Sequence, residues 1–181
     1  MANAVYDFDE RLAMSQGADK GSVSAILLAN IPGANSVSKA SVSNDKSGTD
    51  YWVEHCSGKH LSIDVKVREE DYSAKPNKQD DLALETWSVM EHNKVGWTRD
   101  SNKRSDYILW YWLDTGRWCL ISFPYLCKVF QDNWTLWVKA YKTREQVTPN
   151  NGRPYRSQCV FVPRREVWAE IYRSFAGQPQ E

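Results

Sequence analysis

The sequence predicts an α+β fold, a mixed α/β arrangement with a central, mainly antiparallel sheet and flanking helices. Amphipathic segments open the chain, alternating apolar strands fill its middle, and a helix, strand and helix pattern closes it. No repeat, low-complexity tract or long linker interrupts the 181 residues, so one domain spanning 1–181 is expected.

The opening segment YDFDERLAMSQG spaces Phe8 and Leu12 four apart. Asp7, Asp9 and Glu10 stand where a helix dipole favours acids, and Gly17 is a stop. A second short helix is predicted over SVSAILLANIPGA, with Ser22 as N-cap and Pro32-Gly33 as terminator. Ser36 to Gly48 is polar and reads as an edge loop with a short strand over Ala40 to Ser43. Asp50 to Cys56 and His60 to Arg68 then form an antiparallel hairpin, with Ser57-Gly58-Lys59 as a three-residue loop and Gly58 taking a positive φ.

After the polar loop REEDYSAKPNKQDD the sheet is expected to resume at LALETWSV. SDYILWYWL and RWCLISF make a second hairpin across Asp114-Thr115-Gly116. That gives four consecutive antiparallel strands in one sheet. PYLCKVFQDN fits a helix with Pro124 in its first turn, whereas WTLWVKAYK fits a strand or a helix. SQCVFV is a strand, and PRREVWAEIYRSF is a helix opening on Pro163 that buries Val167, Ile171 and Phe175.

Charge excludes some functions. Lys plus Arg equals Asp plus Glu at 23 each, so no global field marks the chain as a polyanion binder. Any such site must be local. The N-terminus lacks the apolar core of a signal peptide and no apolar run is long enough to span a bilayer, so a cytoplasmic protein without membrane association is expected. Four scattered cysteines and three histidines show no zinc spacing, and Cys56 and Cys119 read as packed strand residues. Nine tryptophans either fill the core or stack on exposed bases. No glycine-rich phosphate loop is present.

The chemistry concentrates in DYWVEHCSGKHLSIDVK. Leu61, Ile63, Val65 and Val67 make one face of the second strand, leaving Asp64 and Lys66 on the other. With the three-residue loop, Cys56 faces His60, Trp52 faces Asp64 and Asp50 faces Lys66. Asp50, Asp64 and Lys66 would then share a face within about 5 to 8 Å of one another. Two carboxylates and a lysine suit Mg²⁺-assisted phosphodiester hydrolysis: hard oxygen donors for the ion, and a cation that positions water or offsets charge. The plain alternative is a solvated strand face, as on any half-exposed strand.

GTDYWVEHCSGKHLSIDVKV resembles the core of the PD-(D/E)XK, or restriction-endonuclease-like, nuclease superfamily, in which an aspartate opens one strand of a hairpin and (D/E)-x-K follows on the next. The resemblance implies an αβββαβ core and a Mg²⁺- or Mn²⁺-dependent nuclease acting on DNA in preference to RNA. Asp50 would be the first acid, Asp64 the second and Lys66 the motif lysine, with Asp50 and Asp64 holding the metal and Glu10 or Glu85 completing the site. Thr49 stands where the family usually has proline, the second acid is Asp rather than Glu, and SVMEHNKVGWTRDSNKRSDY offers no long crossover helix. A catalytically inactive relative that binds nucleic acid or protein is the alternative.

Glu85 is either a strand-face residue paired with a lysine, a third ligand, or the partner that orients Lys66. Arg99, Lys103 and Arg104 are the expected phosphate contacts, with Arg153, Arg156, Arg164 and Arg165 weaker candidates. Asp106 reads as a strand-start acid or turn cap. The expected partner is nucleic acid, homodimerisation stays open, and a small nuclease without an attached targeting domain suits a phage or mobile-element setting.

Overall fold

Val23, Leu27 and Ile31 recur every four residues, and helical geometry gathers that spacing on one side. In the computed structural model, which describes residues 20–41, 48–149 and 153–176, they form the buried stripe of α1 (Lys20–Asn30) and the residue just past its end. α1 begins ahead of Ser22, which lies inside its first turn rather than capping it. Gly33, at φ +74, turns the chain after Pro32. The helix expected over Asp7 to Gly17, and Glu10 with it, lies outside the described residues, as does the end of the edge strand expected at Ala40 to Ser43.

The polar ANSVSK segment is itself a strand, β1 (Ala34–Lys39), paired antiparallel with β2 (Tyr51–His55). β2 pairs antiparallel with β3 (His60–Arg68). β4 (Asp81–Val89), β5 (Lys94–Val95), β6 (Tyr107–Trp112) and β7 (Trp118–Ser122) follow. Next come α2 (Phe123–Ala140), β8 (Thr143–Thr148), β9 (Tyr155–Pro163) and α3 (Arg164–Ala176).

The fold is mixed α+β, and its strands divide between two sheets. One runs β1-β2-β3-β6-β7 and the other β5-β4-β9-β8. The expected meander of four antiparallel strands is corrected here: β4 leaves for the second sheet, and β6 takes the place beside β3, running parallel to it. The reason lies in burial. Parallel strands are covered on both faces and read as unbroken apolar runs. Ile108 to Trp112 are all buried, as are Ser62 to Val65 in β3, so these two strands suit each other at the sheet's centre.

Contacts divide the described chain into two units: residues through Asp71 together with Ser101–Pro124, and Tyr72–Asp100 together with the residues from Tyr125 onward. In the first, Val23, Leu27 and Ile31 pack with Tyr51, Val53, Ile63, Val65, Leu109 and Tyr111 as one cluster. In the second, Leu82, Leu84, Val160, Val162, Val167 and Ile171 are buried, while Phe175 is exposed and packs against Tyr125 with the rings tilted by 51°. WTLWVKAYK is helical and continues α2. Trp110, Trp112 and Trp137 are buried in the core and the other six tryptophans are half-buried.

Candidate metal centre

β3 carries Asp64 and Lys66 two residues apart, which puts both on the face opposite Ile63 and Val65. In the parallel register Asp64 lies beside Ile108 and Lys66 beside Trp110, so apolar side chains flank both charges. Asp64 is 4% exposed. A solvated strand face is therefore excluded for this residue. Lys66 Nζ donates to Asp64 Oδ1 at 2.8 Å, forming a partly buried ion pair.

Asp50 joins them through a two-residue offset in the hairpin. The sequence predicts Trp52 opposite Asp64, whereas Trp52 pairs with Ser62 and Glu54 with His60. The turn spans His55 to Lys59, with His55 N–H bonded to Lys59 O and Gly58 at φ +77. An offset of two preserves which face each side chain takes. Asp50 N–H donates to Ile63 O at 2.8 Å although Ile63 is already the partner of Tyr51. The Asp50 carboxylate reaches β3 as well, its Oδ2 accepting Val65 N–H at 2.6 Å.

The resulting group has two carboxylates and one ammonium in apolar surroundings. Burial pushes the Asp50 carboxyl up to about 7; the Val65 N–H opposes the rise, the Asp64 carboxylate adds to it, and Lys66 opposes it. Adjacent carboxylates with a single lysine leave a negative charge that a proton or a cation must balance. Oxygen donors of this kind suit Mg²⁺ or Mn²⁺, which take one or two carboxylates and keep several waters. The pair fits such an ion on that ground. Among the described residues no cluster of three or more His, Cys, Asp or Glu side chains forms, so the protein's contribution there is these two acids.

Neither family models, nor curated proteins, nor solved structures match the chain. The chemistry of the site is read from its own residues.

The remaining candidates separate. Glu85 belongs to the second unit, where its carboxylate accepts Trp97 N–H at 2.9 Å and its carbonyl accepts the Thr98 hydroxyl. Gly96 is needed there, because a Cβ would stand 2.1 Å from Glu85 O. Arg99 is no exposed loop cation: its guanidinium lies 3.9 Å from the Trp134 ring centre and 4.8 Å from that of Trp87, and it donates to Thr86 O. Burial lowers its pKa. Lys103 and Arg104 belong to the first unit, as Asp50 and Asp64 do. Arg156 is engaged by Glu91 and Glu145, Arg164 by Asp80 and Arg165 by Glu166, and Arg153 is exposed. Cys119 is buried in β7, whereas Cys56 falls past the end of β2 and is exposed.

The partner of Asp106 and the burial of Asp71 are not legible in the sequence. Asp106 Oδ2 accepts both the N–H and the hydroxyl of Ser62, at 2.7 and 2.9 Å, fastening the start of β6 to β3 beside the site. At the far end of β3, Asp71 is 2% exposed and meets Arg117 and Thr115, while its N–H donates to Asp114. Asp106 was flagged by its place at a strand start. Asp71 looks like any loop acid, and nothing local marks it.

Proposed function

We propose that the protein is a Mg²⁺-dependent nuclease of the PD-(D/E)XK type, cleaving phosphodiester bonds in DNA ahead of RNA. The observation that carries this reading is the convergence of Asp50, Asp64 and Lys66 from adjacent strands of one hairpin, with Asp64 buried and bonded to Lys66. Chain order supports it in part: a helix, three antiparallel strands with an aspartate just ahead of the second and D-x-K on the third, and a later strand in the same sheet, reached through β4 and β5 where the αβββαβ core has a helix.

Asp50 and Asp64 would hold the ion. When bound, a divalent cation polarises a phosphoryl oxygen and lowers the pKa of an attacking water. Asp50 would give up its proton to hold the cation, and the Val65 N–H fixes the direction of its carboxylate. Lys66 stands beside Asp64, where an ammonium orients a water and offsets negative charge developing on the phosphate. Ile108 and Trp110 beside β3 lower the local dielectric and strengthen both effects.

One observation favours a binding domain without chemistry: among the described residues no third acid joins the pair. Titration of Mg²⁺ or Mn²⁺ into the wild type and Asp64→Ala, with DNA cleavage assayed on the same samples, separates the readings. Heat and cleavage that both disappear in the variant are expected. Wild-type protein that neither binds the ion nor cuts DNA would overturn the nuclease reading.

A further inference from the structure

Gly48 stands two residues before Asp50, is buried, and adopts φ +94. Its missing side chain is used. A Cβ there would lie 3.0 Å from both Cδ and Nζ of Lys103, so the lysine lies along the backbone that leads into Asp50. Neighbouring bonds fix the segment that carries it. The Ser105 hydroxyl donates to Gly48 O at 2.6 Å, and the Ser62 hydroxyl donates to Arg104 O at 2.9 Å. Asp106 then holds Ser62, two residues before Asp64. All of these residues belong to the first unit.

We propose that Lys103 is the phosphate-positioning residue of the metal centre, contacting a backbone phosphate next to the one cleaved. This rests on the nuclease reading and deepens it. Chain geometry bounds the distance: from the Nζ beside Gly48 to the Cα of Asp50 is at most about 12 Å, the reach of two residues plus one contact. That is near enough for the ammonium to hold the same nucleic-acid strand as the carboxylates. Lys103 is half-buried and Arg104 exposed, so the first is held in place and the second is free to follow the strand. Phosphate contacts of this kind set position and carry no sequence information. The inference therefore names a nucleic-acid backbone as the ligand and predicts no base preference from this residue.

The test uses a fluorescein-labelled DNA duplex with Ca²⁺ in place of Mg²⁺, read by polarisation across a salt series, beside a Mg²⁺ titration without DNA. Lys103→Gln is expected to weaken DNA binding about fivefold and to reduce the salt slope by about one counterion, with Lys103→Arg restoring both and Mg²⁺ heat unchanged in each. Wild-type binding and cleavage with an unaltered slope in Lys103→Gln would overturn the role of Lys103 and leave the metal centre standing. A wild type with neither Mg²⁺ heat nor DNA binding would overturn the nuclease reading and this inference with it.

Discussion

Asp50 holds its proton through a pH range in which most carboxyls have lost theirs. Its folded-state pKa, about 7, lies above its value in an unfolded chain, so between about pH 4 and 7 the folded protein binds a proton that the unfolded chain does not. Stability contributed by this group is therefore present at acid pH and lost as pH rises through that window. In EDTA, Asp50→Asn should gain stability relative to wild type from pH 4 to pH 7, measured by urea unfolding; a constant difference would show that Asp50 is not the titrating group. Glycines give a second contrast at this scale. Gly96→Ala drives a Cβ into the Glu85 backbone and should cost about 3 kcal/mol or more. Gly58→Ala meets open space at φ +77 and should cost only about 1 to 2 kcal/mol, from backbone strain alone. Thermal unfolding of the two variants in one buffer compares them directly. Face-sharing by Asp50, Asp64 and Lys66 was legible in the sequence, because hairpin parity survives an offset of two. The proton on Asp50 was not, because it arises from burial, and burial depends on which distant strands pack around the hairpin.

Hairpins whose pattern is self-contained formed where read, β2–β3 with its pairing offset by two residues. The β2–β3 and β6–β7 hairpins rest on local turn chemistry: Gly58 and Gly116 take positive φ, and Gly116 N–H bonds to Trp112 O. α2 shows where local pattern ran out. Trp134, Leu136 and Val138 alternate as a strand would, yet Leu126, Phe130 and Trp137 continue one helical stripe and are all buried. The stripe wins because it buries large side chains over about three turns. Phe130→Ala should cost about 3 to 5 kcal/mol, whereas Leu136→Ala, at a side chain 63% exposed, should stay within about 0.5 kcal/mol. Equal losses in chemical denaturation would refute this assignment of faces. β8 was missed because TREQVT is mostly polar and does not alternate; its strand state comes from pairing with β9 from Thr143 to Thr148. β1 escaped for the same reason.

At the scale of the whole molecule, a cation bound at Asp50 and Asp64 couples the site to the fold, since any ligand held only by the native state stabilises it. Mg²⁺ at about 100 times its Kd should add about 2.7 kcal/mol, a rise of roughly 5–10 °C in Tm for a chain of this size. Asp64→Asn should show no such rise in differential scanning calorimetry, and an equal rise in the variant would place the ion elsewhere. No helix among the described residues is long and apolar enough to cross a membrane. The sequence by itself determined the α+β class, the hairpins and the shared face of the acids, because turn geometry and two-residue alternation act between near neighbours. Tertiary structure alone decided the parallel union of β3 with β6, the departure of β4 to a second sheet, the burial of Asp64 and Asp71, and the capture of Arg99 between Trp87 and Trp134. Each of these depends on which distant segment covers a strand's second face, a choice made by the summed burial of the chain and written in no single stretch of it.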